Sequence, residues 1–150
     1  MTFYLFLKLL HVLSAILGLG PGFVMIYTVT LAQNMEELRH AYHIRNRIHL
    51  FVMVGGSLLL LTGLGMGLIN TAWFHTGWYI TSLILFLIAL GFGPFILSPL
   101  SKPIKELLKT HQGKEIPPIY FKHCKKLFFY ERLENIIFLI IIVLMILKPF

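Results

Sequence analysis

His11 stands in "FYLFLKLLHVLSAILGLGPGFVMIYTVTLA", residues 3–32, where only Lys8 can also carry a full positive charge. An ionisable ring inside an apolar run is costly, so by default it marks a functional position. Two chemistries suit it. A neutral imidazole can hold haem iron or copper, or it can hydrogen-bond across helices and only join them. As a ligand it needs a partner at similar depth, and the choices are few. His75 follows the second apolar run, Met66 and Met145 lie near the ends of the second and fourth, and Lys148 follows the fourth. Met145 and His75 are therefore the candidate partners, with His11 the proposed metal ligand. A second polar group occurs where the last apolar run begins: Glu131 and Asn135 are four residues apart, with Glu134 and Arg132 beside them. This reads as an ion-pair collar in which Arg132 could pair with a carboxylate, or else as a proton relay. His40, His43 and His49 have no recognised metal spacing. No phosphate loop, HExxH or nucleophile elbow occurs.

The elements that must hold these residues are set by composition. Of 150 residues, 57% are hydrophobic and only 13% charged, against roughly a quarter charged in soluble domains. A soluble domain of this size could not bury so much apolar surface, so the solvent is lipid. A bilayer crossing takes about 20 apolar residues, which predicts spans at about 3–32, 50–69, 78–100 and 128–147 in one integral membrane domain. The first is longer than needed and should tilt or kink; Pro21 removes a helical hydrogen bond and supplies the kink. Pro117 and Pro118 predict the start of the helix that runs into the last span. The lone Cys124 excludes an intramolecular disulfide, and no cleaved signal peptide is expected.

Charge fixes the orientation. The connection after the first span carries Arg39, Arg45 and Arg47, and the third carries seven lysines from Lys102 to Lys126, whereas "NTAWFHTG" has neither residue type. The positive-inside rule puts the two basic connections in the cytoplasm and both termini outside. The formal charge of +7 is then a topology signal and not a nucleic-acid surface. Trp73, Trp78 and Tyr79 mark the outer interface, Tyr120, Phe121 and Tyr130 the inner one. The fold predicted is an all-α four-helix transmembrane bundle. Gly18 with Gly22, and Gly63 with Gly67, have the spacing that lets helices approach closely. "LGLGPGF" at residues 17–23 and "LGFGPF" at 90–95 could record a duplication.

"LKLLHVL", "LLTGL", "IPPIYFKHCKKLF" and "LMILKPF", in that order along the chain, resemble a family of small bacterial integral membrane proteins of unknown function. More distantly the pattern is similar to the HemJ protoporphyrinogen IX oxidase family and to CopD-type membrane domains. Lys8 with His11, Thr62 with Gly63, Trp78, and Lys148-Pro149-Phe150 carry that likeness, which implies a haem ligand at His11. The chain departs from the HemJ pattern at Ile80 and Ser82, where that family has histidine and lysine, and at 131–134, where it has N-E-x-P. The expectation is therefore a multi-pass protein of the bacterial inner membrane binding b-type haem, with copper the alternative metal, through His11 for electron transfer or cofactor handling. A non-catalytic helper without cofactor and a HemJ-like oxidase are the alternatives. Its partners would be the lipid bilayer and a redox partner or a second copy.

Overall fold

The computed structural model describes residues 2–150, and every regular element among them is helical. The order is α1 (Phe3–Leu19), α2 (Gly22–Thr30), α3 (Met35–Ile69), a 3-10 turn (Thr71–His75), α4 (Gly77–Phe92), a π-helical turn (Gly93–Leu97), α5 (Ser98–Thr110) and α6 (Pro118–Leu147). Each boundary has a local cause. The Thr2 hydroxyl accepts from Leu5 N–H and starts α1. Gly20 and Pro21 interrupt the first apolar run and divide it into α1 and α2, but both keep right-handed helical backbone angles, so Phe3–Thr30 stays one helical path broken at Pro21. Pro94, which has no N–H to give, sits in the π-helical turn, where Ser98 N–H reaches back to Gly93 O. Pro118 opens α6 after an extended Pro117.

The connections differ from the sequence expectation. The polar run 35–49 is helical and extends α3 well beyond its apolar part. Asn34 Oδ1 accepts from Glu37 N–H at 2.9 Å, and Glu37 reaches back to Gln33 N–H at 2.8 Å, a reciprocal cap. Met35, Leu38, Tyr42 and Arg45 then repeat on one buried face. The third connection is likewise mostly helical, in α5 and the first turns of α6, leaving only residues 111–117 irregular.

Three helical stretches, Phe3–Thr30, Met35–Ile69 and Gly77–Thr110, are long and apolar enough to cross a membrane. Helix α6 differs because Glu131, Arg132 and Glu134 precede its apolar part at 136–147. It completes the bundle by packing along α4 and α5, while α1 packs along α3.

The two ends of the bundle are distinct. At one, Tyr4, Trp73, Trp78 and Tyr79 stack with ring centroids 5.4–6.2 Å apart. Residues 148–150 fold onto the same end: Trp78 N–H donates to Phe150 O at 2.9 Å, and Lys148 Nζ lies 5.1 Å from the Trp78 ring. At the other end, Arg39 donates from Nε to Leu108 O at 2.9 Å and also bonds His111 O, capping the last carbonyls of α5. Met35 N–H bonds Lys114 O at 2.9 Å, and the Tyr42 and Tyr120 hydroxyls meet at 3.1 Å. Burial pushes the Tyr120 phenol and the Cys124 thiol above their ordinary pKa values, so both stay protonated at this end. The basic connections thus share one end and the two termini the other.

Candidate functional site: a cavity beside His11

His11 lies on α1 eight residues past Phe3, about 12 Å along the axis at 1.5 Å per residue. Its Nδ1 is 2.9 Å from Thr62 Oγ1 on α3. The Thr62 hydroxyl donates to Leu58 O at 2.7 Å, which leaves its oxygen to accept from His11 Nδ1–H. The imidazole is then the tautomer with a bare Nε2, and Nε2 has no hydrogen-bond partner among the described residues. Gly63 makes the seat: a methyl group there would stand 3.2 Å from His11 Cε1. Gly67 does the same for Tyr79, whose ring fills the space a side chain would need and whose hydroxyl donates to Gly63 O at 3.1 Å. Gly63 and Gly67 therefore admit side chains and not a neighbouring backbone, which corrects the close-approach reading of that pair.

The ring borders a cavity of about 480 Å³, within the size range of small-molecule sites. All four long helices line it. His11 and Ile16 come from α1, Gly63 from α3, Tyr79 and Ser82 from α4, and Met145 from α6. Leu19, Leu59, Phe86, Phe138 and Ile141 pack into a floor toward the basic end. The wall is almost wholly apolar, its polar side chains being His11, Tyr79 and Ser82. Ser82 is fully buried and its Oγ has no hydrogen-bond partner.

The sequence-nominated residues divide. His11 and Met145 line the same cavity, whereas His75 is exposed in the 3-10 turn and does not. Ser82 and Tyr79, which were not nominated, do line it, and Tyr79 had been read only as an interface marker. Their i,i+3 spacing beside Trp78 was the available signal. No cluster of three or more His, Cys, Asp or Glu side chains with metal-binding geometry occurs among the described residues, so His40, His43 and His49 do not form a metal site.

The second polar group is not as the sequence suggested either. Glu131 pairs with Arg45 of α3, not with Arg132. Neighbours in sequence on a helix point apart, and Arg132 is exposed while Arg45 and Glu131 are buried. Arg45 Nη1 also donates to Met25 O at 3.3 Å, and Asn135 Nδ2 donates to Gly22 O at 3.2 Å. The collar thus clamps α2 to α3 and α6, beside the Pro21 break.

Residues 5–149 match the model of a family described as "Predicted integral membrane protein (DUF2269)". The chain belongs to this family of integral membrane proteins. No curated protein and no solved structure matches it. The family assignment and the helical bundle agree on a multi-pass protein embedded in lipid.

The bond between His11 and Thr62 allows a magnitude to be set. Side-chain hydrogen bonds between membrane helices average about 0.6 kcal/mol, with a maximum near 1.7. Thr62→Val is accordingly expected to lower thermal stability in detergent by roughly 0.6–1.7 kcal/mol. A larger loss would mean that the threonine does more than seat the ring.

Proposed function

We propose that this protein binds b-type haem through His11 in the cavity, in the bacterial cytoplasmic membrane, for electron transfer or cofactor handling. One observation carries the reading: the Nδ1 bond to Thr62 leaves Nε2 free on a residue that lines an apolar cavity. A metal-binding histidine usually donates its other ring nitrogen to a fixed acceptor in this way. The donor chemistry fits, since a thioether at Met145 lines the same cavity, and histidine with methionine is a known haem pair. The wall carries no cation, so the carboxylates of such a group would depend on Lys8, one turn along α1 from His11, and on Lys148. When bound, the iron would supply one-electron chemistry at a potential set by its ligands and the apolar surround. The chain itself fixes the imidazole's tautomer and excludes water. Copper fits less well, because it would have only these two donors. By the positive-inside rule the aromatic end, nearer the cavity, faces outward.

The same bond supports a second reading, a helper or partner subunit without cofactor in which His11 only joins α1 to α3. A HemJ-like oxidase has less support, because Ser82 and Ile80 replace that family's polar pair. Absorption of the detergent-purified protein from haem-replete cells separates the first two. A Soret band is expected, abolished in His11→Ala and shifted but retained in Met145→Leu. A colourless, metal-free preparation would end the haem reading and leave the helper reading standing.

A further inference from the structure

We propose that the lipid-facing side of α6 holds an anionic phospholipid of the leaflet at the basic end, its phosphate between Arg132 and Lys125 and its acyl chains along Phe129 and Ile136. The site is separate from the cavity and needs no cofactor.

The length of α6 places a charge inside the bilayer. Its apolar part, residues 136–147, rises only about 18 Å, against about 30 Å of hydrocarbon. The outer end is fixed at the aromatic interface, where Lys148 lies over the Trp73 and Trp78 rings. Counted back from Leu147, Arg132 is about 22 Å along the axis, still within the hydrocarbon level. The two carboxylates beside it are turned into the bundle: Glu131 is buried against Arg45, and Glu134 is partly buried. Arg132 is exposed and has no ion pair among the described residues.

Its surroundings name the missing partner. At 3.6 residues per turn, Lys125, Phe129, Arg132, Ile136 and Val143 fall within about 60° of one another around α6. Phe129 is 61% exposed, Ile136 52% and Val143 51%, so this stripe meets lipid and not another helix. A guanidinium there is costly unless it reaches an anion, and Glu131 and Glu134, one and two positions away, point elsewhere. Helical side chains lean toward the helix N-terminus, which in α6 is the basic end, so Arg132 leans toward the headgroups. Lys125 stands exposed two turns nearer that end, with Phe129 midway. A phosphate at the level of Phe129 is then about one turn from both cations, and its oxygens suit the guanidinium fork. The exposed apolar side chains offer acyl chains a surface and offer inorganic phosphate none.

Native mass spectrometry tests this on the full-length protein, released from nanodiscs of phosphatidylcholine containing a minority of phosphatidylglycerol. Wild type is expected to retain phosphatidylglycerol in preference to phosphatidylcholine. Arg132→Gln should reduce that preference about fivefold. Lys109→Gln, which removes the same charge from an exposed position on α5, should reduce it by less than about twofold. Millimolar inorganic phosphate should displace nothing. Unchanged melting temperatures of both variants in lipid-free detergent would show that lost lipid is not lost fold. No preference in wild type would overturn the proposal, as would wild-type retention in Arg132→Gln or equal losses at Arg132 and Lys109. Displacement by inorganic phosphate would overturn the assignment to a lipid.

Discussion

Arg45→Ala is expected to lower the stability of the detergent-solubilised protein by about 3–5 kcal/mol, the cost of breaking one half of a buried ion pair. Glu131 is 7% exposed and already has one carboxylate oxygen, Oε2, without a partner. Removing the guanidinium leaves that charge among apolar side chains. Arg45 also holds Met25 O and lies 5.8 and 6.0 Å from the ring centroids of Tyr42 and Phe128, so one truncation loosens α2, α3 and α6 together. Two controls fix the cause. Arg132→Ala should change stability by no more than roughly 0.5 kcal/mol, since Arg132 is exposed. Arg45→Met combined with Glu131→Leu should recover much of the loss, because well-packed apolar pairs commonly replace buried ion pairs at little cost. Equal melting temperatures for Arg45→Ala and Arg132→Ala would sink the assignment.

That pair also shows where sequence reading stopped. The apolar runs, the kink at Pro21, the helix start at Pro118 and the shared end of the basic connections were all legible, because each follows from a local rule of length, proline chemistry or charge. The face formed by Met35, Leu38, Tyr42 and Arg45 repeats at helical spacing, but its polar surroundings made the segment read only as a connection between spans. What could not be read was partner choice across helices. Glu131 and Arg45 are 86 residues apart, and nothing in either segment favours that pairing over the adjacent Arg132. Likewise Thr62 was noticed only beside Gly63. Its tie to His11 depends on how α1 and α3 align, which is set by small residues on both helices at once.

That alignment carries the second large effect, at Gly55. The sequence pairs Gly18 with Gly22, but the close approach in the structure is between Gly18 and Gly55. A methyl group on Gly18 would lie 2.6 Å from Gly56 N and 2.7 Å from Gly55 C, and one on Gly55 would overlap the Gly18 backbone. Backbone cannot rotate aside as a side chain can, so a methyl there must push α1 off α3. Gly55→Ala is expected to cost about 1–3 kcal/mol or more from overpacking, despite the 0.5–1 kcal/mol that alanine ordinarily adds inside a helix. The damage should reach the site. From Gly18 back to His11 and from Gly55 on to Thr62 is seven residues in each helix, two turns along the same seam, so parting the helices lengthens the 2.9 Å bond that holds the imidazole. The neighbouring position is the control. A methyl group on Gly56 would meet only Leu90 Cδ2, at 4.0 Å, and Gly56→Ala should be neutral or slightly stabilising. Thermal unfolding of the two variants in one detergent decides the matter, and if they melt together then α1 and α3 are not held at the distance on which the seating of His11 depends.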